Sequence, residues 1–367
     1  MDARERQLHL RLHARDARDS ESRGLTSGVS EERRLPYAGL ASDDEDGATT
    51  LARVCQETVE CFALDGPVEE PGGEGCRHLA GKVPPREASR RKESRNNAIR
   101  STDLTTSPAT GLDRRCEVLR SLHTPGDPLL LPNAWDVATA RAVVAAGFPV
   151  VATTSAGVAE TLGYEDHEGA PGDEMLAAAA RIARGVEVPV TVDAEAGYGM
   201  EPADLVSALR RVGAAGCNLE DTDHKAGSLR DPDWQADWFR AVRQAASDDG
   251  YPLVINARVD VFLGPFLAGA GPGTQEELVP EAVRRANAYL EAGVDCVYPI
   301  TLWEKDALRH FMSEVQGHVN VVRLPPAPSL AELAALGVAR VSWGLLLYRE
   351  AMARFADQLG SLQLAGD

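Results

Sequence analysis

The stretch Val190-Thr191-Val192-Asp193-Ala194-Glu195-Ala196-Gly197-Tyr198-Gly199 decides the fold class. Its first three residues are β-branched, rigid at χ1 and suited to a buried strand. The run ends in two carboxylates one residue apart, Asp193 and Glu195, and then in a Gly-Tyr-Gly turn. Residues i and i+2 of an extended chain point the same way. A strand that stops here therefore delivers both carboxylates to one place at its carboxyl end. That donor set suits a hard divalent cation such as magnesium, with manganese as a substitute, which takes carboxylate oxygens and keeps waters for its substrate. A solvated acidic loop after a core strand is the other reading of the same ten residues. The rest of the chain has to decide between them.

Outward from this stretch, apolar runs alternate with helical patterns from Cys116 to the end. Strands are expected over 129–133, 149–157, 190–193, 217–221, 251–260, 294–300, 319–325 and 338–344, with a helical pattern after each. Gly147 closes the first of these helices as a C′ residue, and Pro202 opens another near N1. The 149–157 strand is expected to leave into a small-residue loop. Alternating β and α of this kind implies a parallel sheet. Eight repeats in about 240 residues imply a closed (β/α)8 barrel. An open dinucleotide-binding sheet is disfavoured, because no G-x-G-x-x-G follows the first strand. In such barrels chemistry sits at the carboxyl ends of the strands. Those ends carry Asn133 with Asp136, Thr154 with Ser155, Asp193 with Glu195, Glu220 with Asp221, and Asn256 with Arg258.

Residues 1–113 read differently. Segments such as SDDEDG, EEPGGEG and KVPPREASRRKESRNN carry few apolar side chains. A segment of this kind cannot bury enough surface to offset its ordering entropy and is expected to be disordered, ahead of a barrel over 114–367. Cys55, Cys61, Cys76 and His78 match no zinc-ligand spacing. The overall composition, 44% hydrophobic and 26% charged, is that of an ordinary soluble protein. The net charge of −18 argues against a nucleic-acid partner, since phosphate neutralisation needs a basic face. No run approaches the roughly 18 apolar residues of a membrane span, and the N-terminus lacks the apolar core of a secretory signal. Scattered cysteines suit a reducing cytoplasm.

The motifs PNAWD (132–136), TTSAGVAETLGYED (153–166), VDAEAGYG (192–199), GCNLED (216–221), INARVD (255–260) and ARVSWG (339–344) stand in this order. Together they resemble the isocitrate lyase/phosphoenolpyruvate mutase superfamily, and most of all its phosphonomutase-like branch, over about residues 117–360. The resemblance implies a Mg²⁺-dependent enzyme that binds a small α-oxo acid, a phosphonate or the corresponding enolate. It implies Asp193 as the direct metal ligand, with Glu195 and Glu220 holding the ion through its waters. Arg258 would fix the substrate's anionic group. Thr154, Ser155 and Ala156 would receive the enolate side, Asn256 would line the substrate site, and Asp166 would face the same pocket. It also implies a homo-oligomer, a dimer or tetramer in which the last helix packs on a neighbour. That agrees with the apolar character of LLLYREAMARFADQL over more than one face.

One departure is decisive. The superfamily's lyases acting on isocitrate and methylisocitrate carry a lysine-cysteine-glycine-histidine signature after the fourth strand. This chain has EDTDHKAGSLRD there. With the glycine placed on Gly227, Ala226 stands where the cysteine would be and Ser228 where the histidine would be. A methyl group cannot replace a thiol as acid or base. The phosphonomutases' lysine-threonine-asparagine-serine pattern is missing too, although Lys225 falls near its lysine. His224 and Lys225 remain, either as proton-handling groups on a mobile lid or as solvated charges. The expected chemistry is C–C or C–P bond cleavage or rearrangement through a metal-stabilised enolate. The rivals are a phosphonate mutase or phosphonopyruvate hydrolase, and a catalytically silent barrel that binds a metabolite.

Overall fold

A ring of parallel strands follows from the alternation of buried apolar runs with amphipathic helices. The computed structural model describes residues 108–271, 273–324 and 327–364. Helix α1 (Pro108–Ser121) leads into strands β1 (Leu129–Leu131) and β2 (Asn133–Ala134). Then come α2 (Val137–Ala145), β3 (Val151–Thr153), α3 (Ser155–Leu162), α4 (Gly172–Arg184), β4 (Val190–Asp193), α5 (Pro202–Val212) and β5 (Gly216–Glu220). A short antiparallel hairpin, β6 (Thr222–Asp223) with β7 (Ser228–Leu229), precedes α6 (Pro232–Asp248) and β8 (Val254–Val259). After α7 (Leu263–Leu267) come α8 (Val279–Glu291), β9 (Cys296–Pro299), α9 (Lys305–Glu314), β10 (His318–Val322), α10 (Leu330–Ala335), β11 (Arg340–Ser342) and α11 (Leu346–Leu364).

The large sheet runs β1-β11-β10-β9-β8-β5-β4-β3-β2, all parallel. Its two ends, β1 and β2, are one strand interrupted at Pro132, which has no N–H for a ladder. The first half pairs with β11 and the second half with β3. Nine segments are thus eight barrel strands closed into a ring, as the sequence pattern requires. Asn133 bridges the seam. Its Nδ2 donates to the Thr153 carbonyl at 2.8 Å, and its Oδ1 accepts from the Trp343 and Gly344 amides at 2.9 and 2.8 Å. Every residue of β5 and β8 is buried, the mark of strands covered on both faces.

Two local outcomes differ from the sequence reading. The strand expected over 149–157 stops at Thr153, and Ser155 opens helix α3 rather than a loop. Asp136 is an exposed helix cap and not a site residue: its Oδ1 accepts from the Thr139 amide at 2.7 Å, and the Thr139 hydroxyl accepts in return from the Asp136 amide. Helix α1 starts six residues ahead of the barrel boundary expected at 114. The disorder expected over 1–107, and Cys55, Cys61, Cys76 and His78 with it, lies outside the described residues. Cys116, Cys217 and Cys296 are free and buried, and burial pushes each thiol up to about 12. Among the described residues no helix is long and apolar enough to cross a membrane.

Candidate active site at the carboxyl end of the barrel

The exit from β4 is a chain of left-handed residues. Glu195 (φ 48°), Gly197 (φ 90°), Tyr198 (φ 56°) and Gly199 (φ 65°) all take positive φ. Gly197 and Gly199 adopt it at little cost, whereas Glu195 is held there against its preference, a form of strain that clusters at functional sites. Three bonds hold it. The Glu195 carbonyl accepts from the Glu220 amide at 2.9 Å, joining the exits of β4 and β5. Glu195 Oε1 accepts from the Glu168 amide at 2.9 Å, and Glu168 Oε1 accepts from the Tyr198 amide at 2.6 Å. The 163–171 connection is thus latched to the Gly-Tyr-Gly turn.

Asp193 ends β4. Its amide donates to Thr153 Oγ1 at 2.8 Å, and its Oδ2 accepts from the Ser155 amide at 3.2 Å. That second bond sets the carboxylate against the N-terminus of α3, where unpaired N–H groups favour negative charge. Thr154, the N-cap, makes no side-chain cap bond, so the first turn of α3 remains available to an anion. Gly157 is required in that turn by close packing, since a Cβ there would lie 2.8 Å from Thr154 Cγ2.

At this end of the barrel four carboxylate oxygens are buried without a hydrogen-bond partner: Asp166 Oδ1, Asp193 Oδ1, Glu195 Oε2 and Glu220 Oε2. Burial raises Asp193 above the ordinary carboxylate range, against the pull of Arg258. It pushes Glu195 up to about 8, with Asp166, Asp193 and Glu220 adding repulsion. Glu220 is raised well above its usual value by burial, although Arg258 opposes it. Arg258 Nη2 lies 2.5 Å from Glu220 Oε2. This is a close ion pair, so Glu220 Oε2 has a charge partner, and Asp166 Oδ1, Asp193 Oδ1 and Glu195 Oε2 are the oxygens with neither a hydrogen bond nor an ion pair. Such oxygens suit a hard divalent cation. Among the described residues no three His, Cys, Asp or Glu side chains converge tightly enough to hold an ion by themselves.

Arg258 is oriented by a residue the sequence reading did not single out. Its Nε and Nη2 donate to Asp260 Oδ1 and Oδ2 at 2.6 and 2.8 Å, a bidentate fork. Asn256 lies one inward-facing position below, buried, with its Nδ2 donating to Asn218 Oδ1 at 2.9 Å. The lid expected after β5 is the β6–β7 hairpin. His224 turns back into the site, hydrogen-bonded through Nε2 to Glu220 Oε1, with the His167 ring 5.4 Å away between centroids. Lys225 and Ala226 are exposed at the hairpin turn, where both amides donate to Asp223 Oδ1. The structure therefore brings Asp166, Asp193, Glu195, Glu220, Arg258, His224, Thr154 and Ser155 to one end of the barrel, and sets Lys225 on its outer edge. Glu168, Asp260 and Thr153 are the supporting residues that sequence reasoning missed. Asp260 had a signal, since it ends the INARVD motif.

The model of the family described as phosphoenolpyruvate phosphomutase matches residues 119–363, the whole barrel. The chain belongs to that family. The chain is 39% identical to the crystal structure of a putative phosphonomutase from Burkholderia cenocepacia J2315, with a TM-score of 0.63, over 68% of this chain and 99% of that one. It is 34% identical over 227 residues to an uncharacterized protein of Mycobacterium tuberculosis, 62% of this chain and 81% of that protein. It is 28% identical over 264 residues to the 2-methylisocitrate lyase of Escherichia coli K12, 65% of this chain and 84% of that enzyme. The protein is an enzyme of the isocitrate lyase/phosphoenolpyruvate mutase superfamily.

Proposed function

We propose that this enzyme is Mg²⁺-dependent and acts on a small α-oxo acid or an enolate-forming carboxylate, breaking or rearranging a C–C or C–P bond beside the oxo group. The observation that carries this reading is the set of three orphaned carboxylate oxygens, on Asp166, Asp193 and Glu195, beside the uncapped N-terminus of α3 and the Arg258–Glu220 pair. A bound divalent ion would polarise the oxo oxygen and stabilise the enolate charge. Asp193 would hold it directly, and Glu195 and Glu220 through its waters. The chain's own groups do the rest. Arg258 grips the substrate's anionic end. The amides at the start of α3, from Thr154 to Ala156, stabilise negative charge developing on the enolate side. Between the two lid candidates we assign proton handling to His224, because it is turned inward on Glu220 while Lys225 is exposed.

The test is release of pyruvate from oxaloacetate and from phosphonopyruvate, measured with and without EDTA. EDTA-sensitive turnover of either substrate supports the reading. Turnover of phosphonopyruvate alone would favour a phosphonate enzyme, and none with either substrate would reject this substrate reading. We further propose a homo-oligomer joined through α11. Met352, Phe355, Leu359 and Leu362 stand exposed along this helix, more apolar surface than a lone barrel needs to leave in water. Light scattering should give a multiple of the 39.2 kDa chain mass at micromolar concentration; a monomer mass would reject the proposal.

A further inference from the structure

Two buried carboxylates at this end of the barrel take no part in the proposed chemistry. Asp260 accepts from both nitrogens of the Arg258 fork, and its Oδ2 also accepts from Thr222 Oγ1 at 2.6 Å. Its own amide donates to Asp221 Oδ1 at 2.9 Å. Asp221 Oδ2 accepts from Tyr289 Oη at 2.7 Å and from Arg285 Nη1 at 3.1 Å. Thr222 begins the β6–β7 hairpin, and the other end of the hairpin is tied to the same cluster. The Arg230 amide donates to the Asp221 carbonyl at 2.8 Å, and the Arg230 carbonyl accepts from Arg285 Nη1 at 2.9 Å. One stem of the hairpin is therefore fixed to the Asp260 carboxylate that aims Arg258, and the other to the Asp221 carbonyl and to Arg285, the partner of the Asp221 carboxylate. Only the turn, with exposed Lys225, Ala226 and Gly227, is left without such anchors.

We propose that the Arg258 anion anchor and the β6–β7 hairpin are one mechanical unit, with Asp260 and Thr222 as its joint. This rests on Arg258 meeting an anionic substrate, as in the reading above. Nε and Nη2 of Arg258 are taken by Asp260 and Nη2 also by Glu220, which leaves Nη1 to meet an anion. An anion that engages Arg258 pulls on the Asp260 fork, and Asp260 passes the displacement to Thr222 through an oxygen that both groups share. Asp260 and Thr222 act through Arg258 and are positioning residues. Charge-assisted bonds of this kind are short and strong, so the joint is stiff.

The test is amide hydrogen exchange across residues 222–230, read with and without oxalate and Mg²⁺. Oxalate is a planar dianion shaped like the enolate of pyruvate. In the ligand-free protein, Thr222→Val removes the hydroxyl donor at nearly constant volume. It should speed exchange of the hairpin amides about tenfold and leave those of α5 and α9 unchanged. Asp260→Asn should do the same more strongly; if it fails to fold, Thr222→Val still decides. Oxalate should slow the hairpin amides in the wild type and slow them less in Thr222→Val. Unchanged ligand-free exchange in Thr222→Val would overturn the coupling. If oxalate and Mg²⁺ do not bind the wild type, the substrate reading fails, while the ligand-free comparison still decides the joint.

Discussion

Glu220 and Asp221 are neighbours in the chain and belong to two different acidic clusters. Glu220 faces Asp166, Asp193 and Glu195, where each side chain has a buried oxygen with no hydrogen-bond donor. Asp221 faces Asp260, Arg285 and Tyr289, where no carboxylate oxygen is left in that state. Successive residues of a strand point to opposite faces, so a one-residue step moves a carboxylate from one cluster to the other. Burying a charge without a partner is costly. The second cluster meets that cost inside the protein. The first meets it only in part, through Arg258 on Glu220, and Asp166, Asp193 and Glu195 each keep an oxygen without a partner.

Removing one carboxylate from each cluster should therefore have opposite effects. Asp193→Ala should lower kcat/KM by about 10²–10³-fold or more, because charge stabilisation at the reacting oxygen is lost. The melting temperature should stay the same or rise, since an orphaned carboxylate is gone. An unchanged rate at saturating Mg²⁺ would break the contrast from the catalytic side. Asp221→Ala should cost about 3–5 kcal/mol of stability in urea denaturation, as Arg285 loses a buried counter-charge. A loss below about 1 kcal/mol would mean that Glu281, the other carboxylate on Arg285, carries the pair alone.

The next effect is smaller and depends on pH. The Glu195 pKa is raised in the folded state, from 4.5 to about 8. A carboxyl raised in this way adds stability below its unfolded pKa and loses that contribution as pH climbs through the folded one. Without metal, the melting temperature should fall as pH rises from about 5 toward 8. The stabilisation gained on adding Mg²⁺ should grow over the same window, because the ion competes with the proton. Differential scanning calorimetry at pH 6 and pH 8, with and without Mg²⁺, would show a flat metal effect if the cluster were an ordinary solvated loop.

The smallest expected effect is none. Ala226 sits exposed at the hairpin turn, and Ser228 stands where a histidine would lower a thiol's pKa. A cysteine at 226 would stay near its free pKa of about 8.5. Glyoxylate release from isocitrate should be at background for the wild-type chain and for Ala226→Cys. Ordinary enzyme rates from either would refute the loop alignment.

The ring of eight strand–helix units was legible because apolar period and helix period alternate so regularly from residue 129 onward. The carboxylates at the exits of β4 and β5 were legible because each breaks a buried run with charge. What the pattern could not do was sort polar residues at strand ends by their partners. Asp136, Asp221 and Asp193 look alike in sequence. One caps the helix that follows it, one meets groups 64 and 68 residues away, and one is left with an oxygen unpaired. Glu168 was missed for a related reason. Its role comes from a left-handed turn, φ 58°, that brings its amide to Glu195 and its carboxylate to Tyr198. The start of helix α3 reads as a loop in sequence because Thr-Ser-Ala-Gly is weak helix material, and the cap that would announce it does not form.

The Asn133 bridge also bears on how the molecule comes together in time. Its bonds to Trp343 and Gly344 span 210 and 211 residues of chain. Contacts of such separation form slowly, because the entropy of the intervening chain is lost before they repay it. Seven of the eight strands can add to the sheet one neighbour at a time, each over a short crossover. The joint at Pro132 cannot, since its two halves belong to opposite ends of the growing sheet. Until it forms, β3 and β11 are open edges, and open edges pair with other chains. The seam, with its ladders to β11 and β3 and the Asn133 amide across them, thus separates a closed ring from an association-prone intermediate.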